Sequence, residues 1–269
     1  MRPLLSLMDR AAALARLILL VLLAAPSACL AAEAPFVAAA ADLKFALSEI
    51  ADNFATETGR QVRLSFGSSG NFARQITQGA PFELFFSADE QYALGLVGSG
   101  HALDRGALYG IGRIVIYAPR GSPLKADAQM KGLAAAAAAG VVTRFAIANP
   151  EHAPYGRAAR EALQHAGLWD VLQSRLVLGE NAAQAAQFAS SGAAEGGIIP
   201  LSVALAPALA AAGSHALIAQ DWHQPLRQRM VLLSGAGETA RRFYDYMQRP
   251  QARAILKRYG FALPADEAP

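Results

Sequence analysis

The sequence predicts an α/β fold of two lobes, each a mainly parallel sheet flanked by helices, with the ligand in the cleft between them. Three observations predict it. Short apolar runs alternate with segments whose apolar residues recur at helical spacing. Such alternation gives parallel strands covered by helices on both faces. The alternation runs through two successive units, and a chain of 269 residues is long for one such sheet.

The first unit opens with the apolar run Phe36 to Ala40, read as a buried strand. Leu43, Leu47, Ile50 and Phe54 follow at helical spacing, and Gly59 ends that helix. Val62 to Phe66 is the next strand, Phe72 and Ile76 mark a helix, and Leu84 to Phe86 is a third strand. The second unit begins after Ile114 to Tyr117. Strands are expected at 145–148, 176–178 and 196–199, with helices at 157–166 and 182–189 between them. The alanine run 134–139 reads as an ordinary helix, and the tail as helices at 243–247 and 252–259. We place the crossings between lobes near Tyr117 to Arg120 and near Ala216 to Asp221. The first lobe is then 33–117 with 219–269, and the second is 118–218.

Residues 1–32 read as a secretory signal. Arg2, Arg10 and Arg16 precede the apolar run 17–25, which is too short to span a bilayer, and small residues follow from Pro26 to Ala32. The mature chain is therefore expected to be soluble and exported. Cys29, the only cysteine, lies near the cleavage region, where a lipoprotein would carry one, but Pro26 stands where such a site wants an aliphatic residue. Cleavage would leave no disulfide, no thiolate nucleophile and no cysteine metal site. The formal charge of +3 falls to +1 without the signal, leaving 21 basic and 20 acidic residues. No concentrated basic stripe suggests nucleic acid as a partner.

Four times an apolar run ends in small or polar residues and turns into a helix. The junctions are Ala41-Asp42, 67–70 (Gly-Ser-Ser-Gly), 153–156 (Ala-Pro-Tyr-Gly) and 180–183 (Glu-Asn-Ala-Ala). Each helix start leaves backbone N–H groups without partners and carries partial positive charge. If such ends converge, they bind a small anion without Lys or Arg. In α/β sheets ligands sit at the carboxyl ends of the strands, where these junctions lie. The chain thus reads as an anion receptor.

Each junction also has a plainer reading. Ser68 and Ser69 fit an anion loop or a simple serine cap equally well. Asp42 reads as a cap, turned back on its own helix at Leu43 to Phe45, since a carboxylate facing an anion would be repelled. The other possibility is that it faces the cleft and filters for a protonated or differently charged ligand. Tyr155 offers an amide and a hydroxyl, and packing alone would explain its ring. His152 is a lone loop histidine. Ser87 to Glu90 suits a strand end capping the next helix better than an acidic pair or metal site. No nucleophile elbow, Walker loop, paired-His zinc motif or dinucleotide fingerprint occurs.

Together these junctions resemble a known family. Residues 37–43 (VAAAADL), 65–70 (SFGSSG), 78–90 (QGAPFELFFSADE), 149–156 (NPEHAPYG) and 257–261 (KRYGF) are similar, in order and spacing, to the periplasmic molybdate-binding proteins of ABC importers. The likeness spans roughly Phe36 to Pro264. It implies the two-lobed periplasmic-binding-protein fold closing on a tetrahedral oxyanion, molybdate or tungstate, with delivery to a membrane permease. It implies a monomer in the periplasm, no catalysis, no cofactor and no bare metal ion. By the same likeness the ligand residues are Ala41 and Asp42, Ser69 through hydroxyl and amide, and Tyr155 and Ala182 through amides. The sequence departs from the family twice. The first junction usually offers a Ser or Thr hydroxyl, absent here, and Pro200 stands where some members supply a tyrosine hydroxyl. Sulfate, thiosulfate or phosphate are the rival ligands. An exported α/β hydrolase using Ser69, His152 and Asp89 is the rival of a different class.

Overall fold

The computed structural model describes residues 33–263. The expected signal segment, Cys29 and Pro264 lie outside the described residues. Two five-stranded mixed sheets form the framework. The first has the order β2 (Arg63–Gly67), β1 (Phe36–Ala40), β3 (Phe82–Ser87), β10 (Leu226–Leu232), β4 (Ala107–Gly112). The second has the order β7 (Leu176–Gly179), β6 (Phe145–Ala148), β8 (Gly197–Pro200), β5 (Ile114–Pro119), β9 (Gly213–Leu217). β1 is parallel to β2 and β3, and β6 to β7 and β8. β10 and β5 run antiparallel to both their neighbours. The parallel half of each sheet is the part that alternation foretells, and an antiparallel pair extends it.

Helices cover both faces of each sheet. On one face of the first sheet, α1 (Lys44–Thr58) brings Leu47, Ile50 and Phe54 against Phe243 and Tyr246 of α10 (Glu238–Met247) and Leu256 of α11 (Pro250–Arg258). Phe54 and Phe243 meet edge to face at 5.1 Å, a favoured aromatic geometry. The other face carries α2 (Ser69–Thr77) and α3 (Glu90–Gly98) through Phe72, Ile76, Ala93 and Leu96. The second sheet is covered by α4 (Lys131–Ala138) and α5 (Pro154–His165) on one face. Its other face carries α7 (Ala182–Ser190) and α8 (Leu201–Ala204), whose contact residues are mostly alanines. Small side chains let these helices lie close to the strands. Short helices α6 (Trp169–Leu172) and α9 (Pro207–Ala212) complete the set.

The crossings differ from expectation at one point. β5 belongs to the second sheet, so the chain crosses at Arg113, the single residue between β4 and β5, and not at Tyr117 to Arg120. Ile114 to Tyr117 are therefore core of the second lobe, held by pairing with Pro200 to Gly197. The chain returns between Leu217 and Leu226.

Candidate functional site

The carboxyl ends of β1, β2, β3, β6 and β7 point toward one small cavity between the two sheets. Its lining includes Ala41, Asp42, Ser69, Tyr155 and Ala182, with Gly67, Ser68, Ala88 and Pro154. The cavity volume is about 10 Å³, far below the roughly 300–1,000 Å³ of clefts that take drug-sized organic molecules. Among the described residues no Lys or Arg lines it. Positive potential at the cavity comes from helix starts.

At two junctions a side-chain cap takes the later amides of the first turn. Ser68, extended at φ −82° and ψ 143°, precedes α2 and accepts from the Asn71 amide at 3.4 Å. Gly70 donates to the His152 carbonyl at 3.0 Å. Asn181 precedes α7, and its Oδ1 accepts from Ala183 at 3.0 Å and Gln184 at 3.1 Å. Pro154 opens α5 with no N–H to satisfy. The amides of Ser69, Ala182 and Tyr155 then sit in first turns, where no preceding helical carbonyl reaches them. The Ser69 hydroxyl is fully buried and accepts from the Ala88 amide at 2.9 Å, which leaves its proton to donate elsewhere.

The first junction departs from the sequence reading. A turn of 3-10 helix, Ala41–Leu43, comes before α1, and neither turn nor helix has a side-chain cap. Asp42 lies inside that turn and does not cap its own helix. Its side chain reaches across the molecule instead. Oδ2 accepts from Tyr155 Oη at 3.0 Å and from Gln228 Nε2 at 2.9 Å, and these two donors also bond each other at 3.0 Å. Oδ1 is buried without a hydrogen-bond partner. Burial raises the Asp42 carboxyl to about 6, against the pull of Gln228, Tyr155 and the nearby amides of Asp42 and Leu43. Burial, then the charge of Asp42, pushes the Tyr155 and Tyr109 hydroxyls well above their ordinary value.

Several contacts close the cavity from both sides. Ser202 Oγ donates to the Asp42 carbonyl at 2.8 Å. His152 Nδ1 meets Ser68 Oγ at 3.0 Å. Arg157 pairs with Asp89, and Asn71 with Glu180. Glycine is required at two of these approaches. A Cβ on Gly70 would stand 2.7 Å from the His152 carbonyl, and one on Gly112 would stand against Tyr155 Oη and 2.6 Å from Gln228 Nε2.

The hydrolase reading finds no catalytic chain. His152 lies on Ser68, not Ser69, and its Nε2 faces Glu180 at 3.4 Å. Asp89 caps α3 through the Gln91 amide and holds Arg157. Glu90 pairs with Arg227 and Arg229. Pro200 ends β8 beside Ile114 and does not line the cavity. The sequence reading missed Gln228, Ser202 and the Tyr155 hydroxyl as partners of Asp42. Gln228 carries a legible signal, because it is the one polar side chain at the alternate inward positions Leu226, Gln228 and Met230 of β10.

A family model described as bacterial extracellular solute-binding protein matches residues 36–262. The chain belongs to that family. Within the family, it is 36% identical over 234 residues to the molybdate-binding protein ModA of Rhodobacter capsulatus, covering 83% of this chain and 86% of that one. The ModA of Azotobacter vinelandii is 34% identical over 230 residues, covering 84% and 89%. A solved periplasmic molybdate-binding protein of A. vinelandii superposes with TM-score 0.78 at 35% identity, covering 86% of this chain and 99% of that one. The sulfate-binding protein SubI of Mycobacterium tuberculosis, 17% identical, shares the fold with TM-score 0.70.

Proposed function

We propose that this family member is a periplasmic receptor for molybdate, and for tungstate, which it hands to the membrane permease of an ABC importer. The observation that carries the reading is the meeting of Ala41, Asp42, Ser69, Tyr155 and Ala182 in the wall of one small cavity. Their helix starts supply N–H donors and partial positive charge, and Ser69 adds a hydroxyl. The molybdate-binding relatives named above support the choice of ligand. The receptor works by binding, closure and hand-over, with no chemical step, as an exported monomer. The lobes are the two sheets with their helices, joined at Arg113 and at 218–225. Molybdate and sulfate are both tetrahedral dianions, so a ring of amides selects between them by radius.

Calorimetric titration with molybdate, tungstate, sulfate and phosphate tests this. Molybdate and tungstate are expected to bind with one-to-one stoichiometry and sulfate only weakly. At one hundred times its dissociation constant the ligand should add about 2.7 kcal/mol of stability. An equal thermal shift with sulfate overturns the selectivity, and preferred binding of phosphate favours the rival oxyanion reading.

A further inference from the structure

We propose that Asp42 makes anion capture proton-linked, so that one proton enters with each oxyanion and is held between Asp42 Oδ1 and an anion oxygen. The inference rests on the receptor reading and adds a specificity-determining residue to it. Four observations carry it. Asp42 is 1% exposed and lines the anion cavity. Both side-chain donors that reach its carboxylate, Tyr155 Oη and Gln228 Nε2, go to Oδ2. Oδ1 is left without a partner. The carboxylate also lies close enough to the amides of Asp42 and Leu43 to feel them, and these belong to the helix start that faces the anion.

The placement of the proton follows from these contacts. Oδ2 already accepts two hydrogen bonds, so a proton added to the carboxyl goes to Oδ1, where it becomes a donor. The groups that face Asp42 carry no compensating charge. α5 presents Tyr155, β4 presents Tyr109, β10 presents Gln228, and α8 presents Ser202 to the backbone carbonyl. β2 and α7 bring Gly67 and Ala182 to the cavity, and Lys44, two residues along the chain, is exposed. The two tyrosines stay neutral. An ionised Asp42 would thus meet a dianion in a dry space with no cationic side chain, where repulsion is far stronger than in water. Taking one proton from solvent onto Oδ1 removes that repulsion and turns an acceptor into a donor. The O–H bond is the only covalent bond formed. Oxyanions that arrive already protonated can supply the proton themselves. Asp42 thus sorts ligands by protonation as well as by radius.

The test is calorimetric titration of molybdate into the mature protein at pH 7.5, in two buffers of different ionisation enthalpy. The buffer dependence counts protons. About one proton taken up per anion is expected, with affinity falling about tenfold per pH unit above pH 7. Asp42→Asn should take up none and bind with equal affinity across pH 6 to 8. Tight wild-type binding with no proton uptake overturns the proposal and leaves the receptor reading standing, and so does uptake that persists in Asp42→Asn. If neither protein binds any of the four oxyanions at any pH, the receptor reading fails, and this one with it. If Asp42→Asn does not fold, Asp42→Ser takes its place, and a wild-type count of zero overturns the proposal by itself.

Discussion

The Tyr155 hydroxyl donates to Asp42 Oδ2 at 3.0 Å, joining a helix of the second lobe to the first turn of the first. The bond buries a carboxylate and a phenol at the seam between two sheets. No cation compensates the carboxylate there. Its consequences are measurable in the protein without ligand.

The first concerns pH. A carboxyl that holds its proton more tightly when folded contributes stability that is complete below the unfolded value. That contribution is lost as pH rises through the folded value. For Asp42 the window runs from 3.8 to about 6. At about 1.36 kcal/mol per unit, the ionised form costs up to roughly 3 kcal/mol above it. Asp42→Asn should therefore exceed wild type in stability at pH 8, and the advantage should vanish by pH 4. Denaturant titrations at the two pH values check this, and a variant no more stable at pH 8 refutes it.

Ser69 and Ser68 should separate affinity from stability. Removing the Ser69 hydroxyl should weaken molybdate binding by about 1.5–3 kcal/mol, the scale of a hydrogen bond to a charged group. Ser68 caps α2 and meets His152. Ser68→Ala should cost about 0.5–2 kcal/mol of stability and less affinity than Ser69→Ala. Paired titrations and melts of both variants read the order directly. The reverse order of affinities would place the anion on Ser68.

Gly112→Ala should damage the seam without touching the anion. The added methyl stands against Tyr155 Oη and Gln228 Nε2. Overpacking of this kind costs about 1–3 kcal/mol, and Tyr155 must leave Asp42 to relieve it. Lower thermal stability with weaker molybdate binding is the expected pair of results. A variant that melts and binds like wild type shows that the seam yields freely.

Closure should be visible in solution. Small-angle scattering is expected to give a smaller radius of gyration on saturation with molybdate than without it. Tyr155→Phe removes the hydroxyl bridge between lobes and should leave the ligand-free form more open. Identical radii in all three samples count against lobe movement.

Local patterns made half of this fold legible. Strands β1, β2, β3, β6, β7 and β8 stand out as apolar runs, and the helices after β1, β2, β6 and β7 as helical repeats. The rest was hidden for identifiable reasons. β4 is broken by Gly110 and Gly112, and β10 alternates buried Leu226, Gln228 and Met230 with partly exposed Arg227 and Arg229. β9 is short and half exposed. β5 is plain as a strand, but its sheet is decided by partners in β8 and β9 far along the chain. The helix starts were readable because capping is local. The direction of Asp42 was not, since it is set by Tyr155 and Gln228, which lie 113 and 186 positions away.

The lone Arg113 between β4 and β5 limits how such a molecule can move. Two rigid plates joined by so short a strap cannot slide apart or exchange neighbours. They can only swing about the strap, while the longer return path from Leu217 to Leu226 supplies the slack. The parts of the cavity carried on opposite plates separate and meet again in the same register each time, so a delivery cycle would reset itself without any part of the chain refolding.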